Sequence, residues 1–442
     1  MLAPSYMSLQ TYFIRTYGCQ MNELDSEMMA GQLEARGLKK TLNEEEADLV
    51  LFNTCSIRDL AERKVMGKLG KMGRGQKKNK VVGVTGCMAM AKKDALFRKF
   101  PHLDFVIGTN NITDLGAVLD EVLYTKQQVL KTDDRFEENL DYLIAKRDNT
   151  VKANVSIIRG CDKYCTYCVV PYTRGEEVSR PPESIINECK KLVDQGYKEI
   201  TLLGQNVNSY GKDKPEWKMT FHDLLYQLDR INGMGRIRFL TSHPVDITVQ
   251  LMEAIRDLPS VCEFLHFPMQ AGSDRILKKM HRIYTKSQYF EKVAQIRSII
   301  PHASIGTDII VGFPSETDSE FQETYDAMRE IQFSLAFMYT YSPRKGTPAI
   351  RWKDDIPEEV KEDRLQRLLA LQQEIEQTER QAMLGKTVEV LVEQRNPDSQ
   401  HLKGRSRNWQ KVIFVGDASL TGTLQQVKVE GFSHQTLIGA LQ

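Results

Sequence analysis

Ile157-Ile158-Arg159-Gly160-Cys161-Asp162-Lys163-Tyr164-Cys165-Thr166-Tyr167-Cys168 orders the rest of the chain around it. An apolar run, Ala153 to Ile158, reads as a buried strand, and the loop after it packs three thiols into eight residues, with three and then two positions between them. Thiolates this close together can surround a soft metal centre. Three is one short of the four protein ligands an iron-sulfur cluster normally takes, so one iron would stay open to a substrate or cofactor. Zinc would need a fourth ligand, and the nearest histidines are distant in sequence.

Downstream, Glu199 to Leu203, Arg236 to Leu240, Glu263 to Phe267, Ser304 to Val311 and Leu335 to Tyr341 read as further strands separated by helix-length segments. Polar residues cluster just after the strands: Cys161, Gln205 and Asn206, Ser242 and His243, Gln270, and Ser342 with Arg344. Six such units predict a barrel, or part of one, with its site at the carboxyl face. Upstream, from Thr11 to about Lys146, the pattern is that of an α/β unit on a parallel sheet. Its runs Tyr12 to Arg15, Asp48 to Phe52 and Val81 to Thr85 are each followed by one cysteine, Cys19, Cys55 or Cys87. Carboxyl ends of parallel strands share one edge, so these three thiols can converge, although three separate buried cysteines fit the residues as well.

Toward the carboxyl terminus a helix opens with Pro357 in its first turn, carries Leu365, Leu368 and Leu369 as an apolar stripe and ends at Gly385. Thr387 to Val392, Lys411 to Val415 and Thr423 to Val429 then read as strands, with turn residues Asn396, Pro397, Gly416 and Gly422. A segment this short can form only a small barrel or sandwich.

Composition narrows the function classes. A chain of 442 residues is too long for one small module, and 41% apolar with 27% charged residues excludes global disorder and a collagen-like fibre. Eight cysteines are too dilute for a disulfide scaffold. Val81 to Ala91, the longest apolar stretch, is too short to span a bilayer, and Met1 to Thr16 has no signal-peptide pattern, so a cytoplasmic, reducing location is expected. Cys189 and Cys262 read as packed core thiols. Sixty basic side chains oppose 59 acidic ones, so any nucleic-acid ligand needs a local basic surface. Two candidates exist. Arg63 to Lys80 holds eight Lys or Arg and no acidic residue, with Val65, Leu69 and Met72 at helical spacing to seat it; His401, Lys403, Arg405, Arg407, Trp409 and Lys411 form the second, suited to phosphate contact and base stacking.

Cys-x3-Cys-x2-Cys with an aromatic before the last Cys resembles the signature of radical S-adenosylmethionine enzymes. Tyr17-Gly18-Cys19-Gln20-Met21-Asn22, Asn53-Thr54-Cys55-Ser56-Ile57-Arg58, Gly86-Cys87-Met88, Val170-Pro171-Tyr172-Thr173-Arg174-Gly175, Gly204-Gln205-Asn206-Val207-Asn208-Ser209-Tyr210 and Thr307-Asp308-Ile309-Ile310-Val311-Gly312-Phe313-Pro314 extend the likeness to the methylthiotransferase family over essentially the whole chain. That resemblance implies three domains. Residues 8–146 would hold an auxiliary 4Fe-4S cluster on Cys19, Cys55 and Cys87. Residues 147–382 would form a partial (β/α)6 TIM-like radical domain with a second 4Fe-4S cluster on Cys161, Cys165 and Cys168, and residues 383–442 a TRAM β-barrel for RNA. Tyr167 matches the aromatic position near the adenine of S-adenosyl-L-methionine, which would serve as methyl donor and radical source. No catalytic side chain is assigned beyond the cluster ligands.

The reaction implied is addition of a 2-methylthio group to N6-isopentenyladenosine at position 37, next to the anticodon. Its partners would be the tRNA anticodon stem-loop, a flavodoxin-like or ferredoxin-like reductant protein and a sulfur carrier, with no membrane. Relatives that act on a ribosomal-protein aspartate or on threonylcarbamoyladenosine are the alternatives within the family. A non-enzymatic RNA-binding iron-sulfur protein is the alternative outside it.

Overall fold

A computed structural model describes residues 9–56, 59–73, 80–133, 147–396 and 400–442. Ile57 and Arg58, residues 74–79 of the first basic run, the first domain boundary near residue 146, and Pro397 lie outside the described residues.

Strands β1 (Thr11–Tyr17), β2 (Lys39–Lys40), β3 (Leu49–Thr54), β4 (Val81–Thr85), β5 (Phe105–Ile107) and β6 (Val129–Lys131) form one parallel sheet in the order β2-β1-β3-β4-β5-β6. Strand β3 shows why the sheet is covered on both sides. Its alternate side chains Leu49 and Leu51 enter one core with Met29 and Leu33 of helix Gln20–Ala35, while Val50 and Phe52 enter another with Val65 and Leu69 of helix Asp59–Lys71. Each fully buried Leu or Phe contributes about 1.5–3 kcal/mol. Tyr17 pairs with Thr54 and Asn53 with Thr85, so the strand ends that precede the three cysteines lie level.

Strands β7 (Lys152–Ser156), β8 (Ile158–Arg159), β9 (Val178–Ser179), β10 (Glu199–Leu203), β11 (Arg236–Phe239), β12 (Phe264–His266), β13 (Ser304–Val311) and β14 (Leu335–Thr340) build the centre. β7, β10 and β11 pair in parallel, as do β12, β13 and β14, and the two halves meet at a parallel bridge between Ile237 and Val261. One core that includes Leu202, Ile237, Leu265 and Ile309 runs through both halves, giving a partial barrel of six parallel strands in sequential order. The first strand ends at Ser156, not at Ile158. Ile158 and Arg159 instead turn into an antiparallel pair with Val178 and Ser179, which clasps the cysteine loop at its base.

Helix Glu358–Gln381 follows, with Pro357 just before its first residue. It ends four residues before the glycine expected to stop it, and Gly385 N donates to Val429 O at 2.8 Å as the chain enters the last domain. The buried stripe is Leu368, Leu371 and Ile375, with Leu365 half-buried against the same core; Leu369 lies at the margin of that face, about 100° round the helix from Leu368, and is exposed. Strands β15 (Thr387–Arg395), β16 (His401–Ser406), β17 (Lys411–Val415), β18 (Leu424–Ser433) and β19 (Thr436–Leu441) close a small barrel in the order β15-β16-β17-β19-β18. Of the two architectures the sequence allowed, closure selects the barrel, because β19 pairs with both β17 and β18.

The small barrel docks on the amino-terminal ends of the central strands, away from the cysteine loop. Lys152 Nζ lies 3.0 Å from Glu393, Arg236 Nη2 lies 2.7 Å from Glu389, and Arg407 Nη2 lies 2.8 Å from Glu263. Trp409 stacks on Phe264 at 5.5 Å between centroids, with the Arg238 and Arg405 guanidiniums 5.0 and 4.9 Å from its ring. Among the described residues no helix is long and apolar enough to cross a membrane.

Candidate cluster sites at the carboxyl ends of the strands

The amino-terminal sheet delivers its three cysteines from three different strand ends. Cys19 directly precedes helix Gln20–Ala35, Cys55 follows β3, and Cys87 opens helix Cys87–Lys92. Two asparagines tie these loops together. Asn22 Oδ1 accepts from the Cys19 amide and thiol, both at 3.4 Å, and its amide donates to Asn53 Oδ1 at 3.1 Å. Asn53 in turn donates to Asn22 O at 2.8 Å and Ser26 Oγ at 2.9 Å. Gly86 closes the set: at φ +86° a Cβ there would meet Asn53 Oδ1 at 2.4 Å and Thr54 O at 2.8 Å, so only glycine lets the Cys87 loop come this near. Contact with the Cys55 side chain brings the Cys19 thiol down to about 6, and Arg174 pulls the same way.

The second set comes from one loop. Cys161 N donates to Gly175 O at 3.1 Å, Cys168 N donates to Cys165 O at 2.9 Å, and Gly160 N donates to Gln205 Oε1 at 2.6 Å. Gly160 has φ +77°, and a Cβ on it would lie 1.7 Å from Glu176 O. Distant segments hold the loop's far side: Thr166 N donates to Met280 O at 3.0 Å, and Ala349 N donates to Thr166 O at 2.9 Å. Arg282 Nη1 donates to the Cys165 thiol at 3.4 Å, while its other nitrogens bind Tyr284 Oη at 2.9 Å and Pro268 O at 3.0 Å. Burial is the main force that pushes Cys161 and Cys168 up to about 12, with the neighbouring thiols adding to it. Tyr167 is half-buried beside these thiols and meets Phe313 edge-on at 6.5 Å.

The donor chemistry suits two iron-sulfur clusters, since each set offers three soft sulfurs and no complete four-thiol cage. A buried polar atom at the same strand ends suits a polar cofactor: Ser242 Oγ has no hydrogen-bond partner among the described residues. Other polar residues singled out from the sequence are already engaged. Asn206 donates to Asp246 at 2.8 Å and accepts from His243 N at 3.1 Å, and His243 Nδ1 accepts from Val245 N at 3.3 Å, which caps a turn. Burial drives that imidazole down to about 2, so it is neutral at physiological pH. Asp308 lies 3.1 Å from His266 Nε2, and the Gln270 backbone pairs with the adjacent strand β13 beside Ile309.

Val65, Leu69 and Met72 are buried as their spacing required, and Lys64 and Lys71 are exposed on the same helix. Lys68 lies 3.6 Å from Glu44, and Lys80 donates to the Glu44 and Glu45 carbonyls at 2.6 and 2.5 Å. The second basic patch departs from its expected role, because Arg407 and Trp409 are spent on docking the small barrel. His401, Lys403 and Lys411 remain exposed there. Sequence reasoning missed Asn22, Asn53 and Arg282. The two asparagines sit inside the cysteine motifs and were within reach; Arg282, 117 residues from Cys165, gave no local signal.

Two family models match the chain: the uncharacterized protein family UPF0004 over residues 11–108 and the radical SAM superfamily over residues 155–328. A protein of Protochlamydia amoebophila named tRNA-2-methylthio-N(6)-dimethylallyladenosine synthase is 67% identical over 98% of this chain and 97% of its own length. One of the same name from Thermoanaerobacter pseudethanolicus is 48% identical, covering 97% and 92%. Among solved structures, a radical S-adenosylmethionine methyltransferase from Kitasatospora setae, with cobalamin and a [4Fe-4S] cluster bound, superposes with a TM-score of 0.56 at 13% identity, covering 78% of this chain and 77% of that one. At that identity the likeness is one of fold.

Proposed function

The chain belongs to the tRNA-2-methylthio-N(6)-dimethylallyladenosine synthase family, and from that premise we propose how its residues divide the work. It is a radical S-adenosylmethionine tRNA methylthiotransferase that uses S-adenosylmethionine and 4Fe-4S clusters. Its substrate is N6-isopentenyladenosine in tRNA, not a ribosomal-protein aspartate or threonylcarbamoyladenosine. The assignment of thiols is our reading: Cys161, Cys165 and Cys168 hold the cluster that binds the cofactor, and Cys19, Cys55 and Cys87 hold the auxiliary one. Its single strongest support is that two sets of three thiols, not one set of four, stand at carboxyl strand ends of neighbouring domains.

When bound, the clusters and cofactor supply radical and sulfur chemistry that acid-base side chains cannot, since the adenine C–H is hardly acidic. This chain's own residues bind and orient. Gln205 and the β8–β9 clasp hold the mouth of the cysteine loop, Arg282 places a cation against Cys165, and Tyr167 would offer an aromatic surface to the cofactor's adenine. Lys64 and Lys71 hold tRNA phosphates, and the three domains divide near residues 146 and 382. A flavodoxin-like or ferredoxin-like donor and a sulfur carrier complete the system in the cytoplasm.

The test is an anaerobic reaction of the reconstituted chain with S-adenosylmethionine, reductant and isopentenylated tRNA, read by nucleoside mass spectrometry together with iron analysis. About eight irons per chain and a 2-methylthio nucleoside are expected. Four irons, or cofactor cleavage without that nucleoside, would remove the two-cluster reading.

A further inference from the structure

Asp25 is completely buried on helix Gln20–Ala35, six residues after Cys19. Its carboxylate receives Arg159 Nη2 at 2.7 Å on one oxygen and Arg174 Nη2 at 2.8 Å on the other. Both arginines are themselves more than nine-tenths buried. They bracket the cysteine loop of the next domain: Arg159 stands two residues before Cys161, and Arg174 ends helix Val170–Arg174, which starts two residues after Cys168. That short helix packs on helix Cys87–Lys92. One carboxylate therefore fastens both ends of the loop to the helix that begins at Cys19.

The charge balance is uneven. Two guanidiniums share one carboxylate, which leaves one positive charge buried without an acidic partner in the triad, and such a charge is expensive unless something nearby offsets it. Its neighbours are the thiols of Cys19 and Cys87, both of which act on Arg174.

Resting on the two-cluster reading above, we propose that Asp25, Arg159 and Arg174 form a positioning triad that fixes the separation and orientation of the two thiol sets, so that cleavage at one is coupled to transfer from the other. Asp25 touches no reacting atom. Its effect passes through helix Gln20–Ala35, about 9 Å of rigid backbone from Cys19, and through the two ends of the cysteine loop. Loss of the carboxylate leaves each thiol set intact within its own domain while releasing their relative placement.

Asp25→Asn in the full, reconstituted chain tests this. Three quantities are read from one preparation: iron content, the ratio of 5′-deoxyadenosine released to methylthiolated nucleoside formed, and the spin–spin broadening between the reduced clusters by electron paramagnetic resonance. Iron should equal that of the unaltered chain, the ratio should rise on the order of tenfold, as for a small misplacement of reacting groups, and the broadening should change. An unchanged ratio with unchanged broadening would overturn the proposal, as would a proportional fall of both products. Halved iron would also overturn it, since the triad would then build one site and not align two. Should Asp25→Asn not fold, Arg174→Lys keeps the charge but loses the fork, and must shift the ratio in the same direction by a smaller factor. If the unaltered chain carries only one cluster, it is the assignment of thiols that fails and not the coupling.

Discussion

The two thiol sets each stand just past strand ends of their own domain, and they get there by opposite routes. Cys161, Cys165 and Cys168 are close because the chain connecting them is short, and Met280, Arg282 and Ala349 then hold the middle of the loop at Cys165 and Thr166. Cys19, Cys55 and Cys87 are far apart in sequence and stand just past three parallel strands that end level, with Asn22 and Asn53 joining the first two loops. Their electrostatics differ in the same sense. Burial pushes Cys161 and Cys168 up, whereas the Cys55 contact and Arg174 hold Cys19 down. Proximity by connectivity tolerates distortion elsewhere; proximity by register depends on the whole sheet.

Deleting one ligand from each set should break the comparison most sharply. Cys165→Ala should reduce cofactor cleavage to that of cluster-free protein, while Cys55→Ala should retain cleavage and lose the methylthio product; 5′-deoxyadenosine and nucleoside assays on the pair decide it. Glycine replacements come next. Gly160→Ala places a methyl on the Glu176 carbonyl in a left-handed conformation and should destabilise by about 3 kcal/mol, with loss of the cofactor-binding cluster. Gly86→Ala, with Asn53 Oδ1 at 2.4 Å and Thr54 O at 2.8 Å, is less crowded than Gly160 and should lose about 2 kcal/mol, read by denaturant unfolding beside iron content. Equal effects at the two glycines would mean that the sheet site is no more adaptable than the loop.

Away from both sites the effects shrink. Trp409→Ala removes the Phe264 stack and two cation contacts and should cost about 2 kcal/mol without altering iron content, seen as an earlier unfolding step for the small barrel. Smallest is Lys64→Glu with Lys71→Glu. It should weaken tRNA binding several-fold at low salt and lower the salt slope by about 2, with cofactor cleavage in the absence of tRNA unchanged.

Much of this was legible in the sequence because period-2 burial and short-range cysteine spacing are local signals. β3, β4, β10 and β13 could be read from apolar runs, and Cys161 to Cys168 from spacing alone. The grouping of Cys19, Cys55 and Cys87 needed topology, which the runs suggested but did not fix. Arg282 and the Asp25 triad could not be read at all, since long-range ion pairs leave no periodicity. Trp409 shows a different failure: a cluster of Arg, Lys and Trp looks alike whether it faces nucleic acid or a neighbouring domain. What separates the two is the partner, here Phe264, Arg238 and Glu263.

The docking segment 405–409 carries a consequence for modularity. The two halves of the central barrel meet at a narrow seam, where a bridge joins Ile237 to Val261. Arg236 and Arg238, from one side, donate to the carbonyls of Arg405, Ser406 and Arg407 at 2.8, 2.6 and 2.6 Å. Arg407 reaches the other side, to Pro259 O at 2.9 Å and Val261 O at 2.6 Å. The small barrel thus laces the two halves of the radical domain together. It is not a detachable accessory: a chimera that exchanges this module between relatives must carry matching residues at both ends of the lace, and a shortened chain would lose activity through an unfastened barrel before any loss of RNA contact was felt.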